Sequence, residues 1–327
     1  MGADDWNRFI AEHPNSNFFH QLGWKKVIEN SFRFKSHYLI AKENNQIQGI
    51  LPLFQAKKKL ISVPFSTEGG ILFKNEKAKE QLLDQAKKIV KEKNLNYLEL
   101  RQEKDIGPNL KTKDYYYHLK LQLNPDPEII WQQMDRKARN AVRKAENLGL
   151  TTDKGLRYFE DFYRIFSINM RDLGTPVDKK EFFQEIIKQF PNQIEIIVAK
   201  LKNEVIGAVF LLKHKKTIKS EWASSLRKYF GYNANQLMYW RAIEDACRQD
   251  FNTFDFGRSM EGEGTYIFKK KFGAQPIQMH YKYFINKGFL PDTRKTNWKR
   301  KLFAKCWSKM PLFAANKIGP KLREEFP

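Results

Sequence analysis

Three residues in the second half of the chain have the types and spacing for acyl-transfer chemistry: Asp255, Arg258 and Lys269. They lie in Thr253 to Pro276, TFDFGRSMEGEGTYIFKKKFGAQP, which reads as strand, glycine loop and cationic segment. Phe254, Asp255 and Phe256 alternate as a strand does, and Gly257 ends the alternation. Ser259, Glu261 and Glu263 then sit among Gly257, Gly262 and Gly264, residues that let backbone approach a ligand closely. Attack of an amine on an acyl donor needs a neutral nucleophile, a stabilised oxyanion and a fixed leaving group. Lys269 is the candidate for oxyanion or phosphate stabilisation. Arg258 would clamp a carboxylate or phosphate, and Asp255 would orient Arg258 or the incoming amine. A purely structural Asp255–Arg258 pair explains the same two residues equally well. Trp222, Tyr239 and Trp240 are candidates to line an acceptor channel, although large aromatics beside a strand and on a helix usually build core. Arg171, Asp172 and Thr175 precede Pro176 in a loop expected to reach an interdomain cleft.

The elements that must position these residues are those of a large globular protein. A chain of 327 residues, 41% apolar and 14% aromatic, can bury a substantial core, and its length favours two domains. A net charge of +22 points to polyanionic partners such as nucleic acid, nucleotide phosphates or an anionic membrane face. Cys247 and Cys306 form neither a disulfide framework nor a metal pattern, so no metal and a reducing, cytoplasmic compartment are expected. No signal-peptide pattern opens the sequence and no stretch has about 18 consecutive apolar residues, so neither secretion nor a membrane span is expected. There is no P-loop and no Cys/His nucleophile pattern.

Taken in order, Trp6 to Phe32 reads as helix broken at His13 to Ser16, with His20 a packed or capping residue. Ser36 to Gln55 reads as a hairpin with its tip at Glu43 to Asn45, Ile61 to Phe73 as an interrupted strand, Ala78 to Lys93 as an amphipathic helix and Asn96 to Arg101 as a strand. A strand is also expected over Tyr115 to Leu123. The second half repeats this grammar after helices at Phe159 to Leu173 and Lys179 to Phe190. The hairpin AKENNQIQG, from Ala41, aligns with AKLKNEVIG, from Ala199, and the helix leading into Tyr97 to Leu100 aligns with the one leading into Phe254 to Phe256. Both matches share an offset near 156 to 158 residues, which argues for a duplicated mixed α/β unit. The expected organisation is a first domain over 1–123, a basic linking helix over 124–150, a second domain carrying the site over 151–285, and a basic amphipathic segment over 286–327.

The linking helix puts Arg136, Arg139 and Arg143 on one face beside Lys144. Only Asp135 and Glu146 offset five cations there, these four and Lys137, so a phosphate-binding face is favoured over a merely solvated one. The last segment carries eleven Lys or Arg against three acids, interleaved with Trp298, Leu302, Phe303, Trp307 and Phe313. This composition suits an interfacial membrane helix and equally a helix docked on its own protein. Pro311, Gly319 and Pro320 break it into pieces and favour docking on the first domain.

Several blocks together resemble one family. These are SVPF with Gly69-Gly70, YLELR from Tyr97, KARN through Arg143-Lys144-Ala145, MRDLGTP from Met170, WASSL from Trp222, Tyr239-Trp240, and DFGRS from Asp255 through Gly264-Thr265-Tyr266 to Phe268-Lys269 and Phe272-Gly273-Ala274. In these the chain resembles the FemAB-like branch of the GNAT superfamily, closest to the FemAB-related proteins associated with exosortase/PEP-CTERM systems. The resemblance implies tandem GNAT-like domains and transfer of an aminoacyl or acyl group, from aminoacyl-tRNA or acyl-CoA, to an amine of a peptidoglycan or exopolysaccharide precursor. It implies no tightly bound cofactor and a functional lysine at the position of Lys269. It also adds Ser224, Arg227, Asn233 and Tyr266 to the substrate-binding candidates. Two departures stand out. There is no room between Phe190 and Asn233 for the helical-hairpin arm of some Fem proteins, and the acetyl-CoA loop is matched only loosely by RKYFGYNA from Arg227. Acyl-CoA-dependent N-acylation of a sugar or amino acid, and a non-catalytic polyanion or membrane binder, are the alternative readings.

Overall fold

A computed structural model describes residues 3–291 and 298–325. The chain opens with α1 (Ala3–Glu12), a turn at Phe18–His20 and α2 (Leu22–Phe32). The strands β1 (Lys35–Glu43), β2 (Gln46–Ala56), β3 (Lys59–Ile61) and β4 (Leu72–Phe73) precede α3 (Glu76–Glu92). Asn75 caps α3 by accepting the Ala78 N–H at 2.9 Å, and the apolar stripe of α3 (Leu82, Ala86, Ile89) lies buried. There follow β5 (Tyr97–Gln102), β6 (Lys111–Lys113) and β7 (Tyr116–Gln122).

The expected single basic helix is two: α4 (Pro127–Gln133) and α5 (Arg136–Asn147). Met134 leaves helical geometry and Asp135 caps a fresh start by accepting the Lys137 N–H at 2.8 Å. Next come β8 (Leu150–Lys154), α6 (Phe159–Asp172), α7 (Lys180–Gln189), β9 (Ile194–Leu201), β10 (Glu204–His214), β11 (Thr217–Ser225), α8 (Ala234–Arg248), β12 (Thr253–Met260), α9 (Gly264–Lys270), β13 (Gln275–Gln278) and β14 (His280–Ile285). As expected, no helical arm intervenes between Phe190 and Asn233. The chain ends with α10 (Trp298–Trp307) and α11 (Leu312–Arg323).

These strands form two mixed seven-stranded sheets flanked by helices. The first runs β1-β2-β3-β5-β14-β6 with β4 on β2, and the second β13-β7-β12-β11-β10-β9-β8. The repeated hairpins are β1–β2 and β9–β10, and each bears a register shift near the matched glycine. The expected boundaries at 123 and 285 do not follow the sheets. Strand β7 joins the second sheet, where Leu119 and Leu121 enter its core. Strand β14 returns to the first, where Tyr281 and Tyr283 pack with Tyr97. Each half therefore supplies a strand to the other, because each of these apolar faces finds its complement only across the sequence midpoint.

The tail also departs from expectation. Residues 292–297 and the side chain of Trp298 lie outside the described residues. Helix α11 packs on α6, in the second half, with Gly319 against the Val177 backbone. Arg323 meets Asp178 at 2.9 Å and Lys179 meets Glu324 at 3.0 Å. Both ends of the segment also meet the first half: Glu325 contacts Lys57 and its carbonyl accepts from Lys59 at 2.9 Å, and Asn286 donates to the Leu95 carbonyl at 2.8 Å while Leu290 packs against the cluster of Tyr97 and Tyr283.

Candidate functional site

Strands β11 and β12 pair in parallel only from Thr217–Thr253 to Lys219–Asp255, yet β11 runs on to Ser225 and β12 to Met260. Beyond Asp255 the pairing lapses, and β12 shifts register against β7 between Asp255 and Arg258. Gly257, at φ +71, takes the left-handed turn this shift requires. Amide and carbonyl groups that a continuous ladder would consume are thereby released. Lys269, buried on α9, answers two of them by donating to the carbonyl oxygens of Gly257 and Arg258, each at 3.1 Å. Burial pulls its ammonium pKa down to about 8, with Lys219 and Arg258 assisting and Asp255 opposing.

The Asp255 carboxylate accepts the Gly257 N–H at 2.7 Å through Oδ1 and the Lys219 ammonium at 2.9 Å through Oδ2. Burial alone would raise its pKa, but Lys219, His118 and Lys120 hold it well below the carboxylate range. Lys219 also donates to Glu68 Oε1 at 3.0 Å and lies 3.7 Å from Glu221. Burial disfavours its charge, but Asp255, Glu68 and Glu221 keep it firmly protonated. Burial pushes the Glu221 carboxyl up. Lys120 bonds Glu103 at 2.5 Å, and His118 and Lys120 overcome burial to bring Glu103 down to about 2.

Glu68, Glu103, Lys120, Lys219 and Asp255 of this cluster line a cavity of about 610 Å³ between the two halves. Its walls come from the 13–20 turn, the 68–73 loop and the end of β5 in the first half, and from the starts of β11 and β12 in the second. His20 closes a capping box with Asn17 and contacts the Gly70 carbonyl at 3.0 Å, which is the packed role expected of it. Burial lowers His20 and His214 to about 4, so both imidazoles are neutral at pH 7.

The predicted residues divide. Asp255 lines the cavity. Lys269 joins it through Gly257, which binds both side chains. The expected Asp255–Arg258 pair is absent, because the register shift sends the two side chains apart. Arg258 instead donates to Tyr281 Oη at 2.7 Å and lies 4.1 Å over the Tyr116 ring, while Tyr281 donates to the Thr67 carbonyl at 2.8 Å. Trp222 packs edge-on to Phe183 and Phe210 in one core cluster; Tyr239 stacks on Phe256 and Trp240 packs on Trp131 in another. Ser224 is buried beside Asn169, whose amide donates to it at 3.0 Å. Arg227 is exposed and Asn233, at φ +60, starts α8. Tyr266 meets Tyr117 edge-on. Arg171 pairs with Asp172 at 2.7 Å, and the loop carrying Thr175 packs beneath α10, where Gly174 abuts Ala304; it does not line the cavity. Arg136, Arg143 and Lys144 are exposed on α5, with Arg139 half-buried against Gln132.

Glu68, Glu103, His118, Lys120, Lys219 and Glu221 were missed. They come from four separate segments, each carrying one or two polar residues in an apolar strand or a short loop. The available signal was polar residues alternating inside strands, His118 and Lys120 in YYHLKLQ and Lys219 and Glu221 in TIKSEWASS.

Residues 132–270 match the family model of the acetyltransferase (GNAT) domain. No curated protein matches the chain. Among solved structures, the chain is similar to FemX with a TM-score of 0.67 and 13% identity, over 86% of this chain and 96% of that one. It is similar to L-PGS from Bacillus licheniformis with a TM-score of 0.56 and 11% identity, over 94% and 97%. It is also similar to a tandem GNAT protein from the clavulanic acid biosynthesis pathway with a TM-score of 0.52 and 10% identity, over 89% and 94%. The two mixed sheets are thus a tandem GNAT-like fold. With a GNAT acetyltransferase domain in its second half, the protein is an acyltransferase.

Proposed function

We propose that the protein is a Fem-type transferase that moves an aminoacyl or acyl group onto an amine of a cell-envelope precursor, of peptidoglycan or exopolysaccharide. The observation that carries this reading is the cavity whose floor joins carboxylates of the first half, Glu68 and Glu103, to Lys219 and Asp255 at the opened β11–β12 pair. A carboxylate-lined cavity suits an amine-bearing acceptor, and the released strand edge with Lys269 beside it suits the donor's acyl carbonyl. The donor's anionic handle is read by cations. The Asp135 N–H donates to the Lys271 carbonyl at 2.9 Å, so the start of α5 abuts the end of α9, and Arg136, Lys137, Lys270 and Lys271 come from adjoining helix ends. That arrangement favours aminoacyl-tRNA. The match to the acetyltransferase domain favours acyl-CoA as the second reading. Peripheral contact with the inner face of an anionic membrane belongs to the same proposal. Leu302, Phe303, Phe313 and Ile318 are exposed among Lys301, Lys305, Lys309 and Lys317, and among the described residues no helix is long and apolar enough to cross a membrane.

Mass spectrometry of ligands that copurify with the full chain separates the two donors. Recovery of aminoacyl-tRNA or acyl-CoA, released by incubation with an amine acceptor, is the expected result. Polyanion binding with no acyl group turned over under any donor would leave a binding protein in place of the transferase.

A further inference from the structure

We propose that His118, Glu68 and Glu103 form a binding site for a divalent metal ion of the zinc class beneath the cavity. The site stands on geometry and does not depend on the acyl-transfer reading. His118 is fully buried, and its Nδ1 makes no hydrogen bond among the described residues. An orphaned ring nitrogen in a dry interior costs stability unless something occupies its lone pair. Nδ1 faces three carboxylates: Glu103 Oε2 at 3.4 Å, Asp255 Oδ2 at 3.6 Å and Glu68 Oε2 at 3.7 Å.

These separations are long for hydrogen bonds and right for two ligands of one ion. Arms of about 2.1 Å opened to the tetrahedral angle span about 3.4 Å, and slightly wider angles give the other two distances. Atoms of Glu68, Glu103 and His118 also lie within 4.8 Å of one another. The other ring nitrogen is engaged, with Nε2 3.2 Å from Thr67 Oγ1. A hydrogen bond from Nε2–H to Thr67 leaves Nδ1 as the bare donor a metal requires.

Lys219 takes Glu68 through Oε1 and leaves Oε2 turned toward His118. Lys120 and Lys219 bond the same oxygens of Glu103 (Oε2) and Asp255 (Oδ2) that face His118, so an ion there would share Glu103 with Lys120, while Asp255 stays with Lys219. Three carboxylates against these two ammonium groups leave one negative charge facing His118. One imidazole with carboxylate oxygens at near-tetrahedral spacing favours zinc over magnesium, which demands an octahedral oxygen shell. Glu68 and Glu103 come from the first half, whereas His118 lies on a strand of the second sheet. The ion would therefore bolt the two sheets together beneath the cavity.

The test uses the full, tag-free chain stripped with a chelator, then dialysed against Zn²⁺ with and without excess Mg²⁺, with retained metal measured by plasma mass spectrometry. One zinc per chain, undisplaced by Mg²⁺, is expected. Glu103→Gln and His118→Ala should each weaken retention about tenfold or more, and zinc should raise the melting temperature of the parent chain but not of Glu103→Gln. Glu103 is about one-third exposed, so this variant remains informative if His118→Ala fails to fold. A parent chain that retains no zinc above the dialysate overturns the proposal, as does a folded Glu103→Gln that holds zinc as tightly as the parent.

Discussion

The two halves place a parallel strand pair at the same point and finish it differently. In the first half, β3 and β5 pair up to Ile61 and Glu99; in the second, β11 and β12 pair up to Lys219 and Asp255. Glu99 and Asp255 therefore occupy matching positions, each a buried carboxylate beside a cation. The first half then closes. The Ser62 N–H donates to the Glu99 carbonyl at 2.9 Å, and Arg101 bonds Glu99 at 2.9 Å and the Ser66 carbonyl at 2.6 Å, drawing the 62–71 loop across the strand ends. Val63 and Phe65 hold left-handed backbone to make that loop, a strain that this hydrogen bonding sustains. The second half stays open, with Lys269 and Lys219 in place of a returning loop. A duplicated frame has become a closed block on one side and an open strand edge on the other.

The largest expected effect tests the buried ion pairs of the two halves together. Lys219→Met leaves Glu68 and Asp255 buried without their cation, and Arg101→Met does the same to Glu99; each should cost about 3–5 kcal/mol of stability by urea denaturation. A much smaller cost at Lys219 would mean that water reaches the open half freely. Next, if Lys269 stabilises charge developing in the transition state, as proposed, Lys269→Ala should lower the rate of transfer by about 10²- to 10³-fold while polyanion binding stays nearly intact. Equal loss of both would remove the distinction between a reactive edge and a binding surface.

The pH dependence refines the same point. Lys269 is held at about 8 against an ordinary 10.5, so it loses its proton as pH rises through about 8. A stabilising role for the cation requires kcat/KM to fall over that range, and Lys269→Arg should carry the plateau to higher pH; a rate that climbs would assign the amine a basic role. Glu103 shifts in the other direction. Its folded carboxylate sits at about 2 against an ordinary 4.5, so its stabilisation is complete above about pH 4.5 and is lost as pH falls toward 2. Thermal melts of the parent chain should therefore steepen more across that window than those of Glu103→Gln. The smallest effect belongs to the exposed face of α5, where Arg143→Ala or Lys144→Ala should weaken tRNA binding uniformly and reduce the salt slope by about one.

Much was legible because it was local. The hairpins announced themselves by alternating apolar residues around Asn-containing tips, the duplication by a constant offset, and the Gly257 turn by its position after an alternating strand. The break between α4 and α5 was not legible, since Asp135 looks like an interior helix residue until its carboxylate is seen capping the Lys137 amide. Sequence alone fixed Asp255 and Lys269 as neighbours in one strand–loop–helix unit, because chain connectivity and side-chain periodicity set such distances. Only the tertiary structure decided that β7 and β14 cross between sheets, that Arg258 turns to Tyr281, and that Glu68, Glu103, His118 and Lys219 meet Asp255. Burying a charge is favourable only when partners surround it, and here those partners are recruited from segments up to 151 residues apart, a distance over which no periodicity carries information.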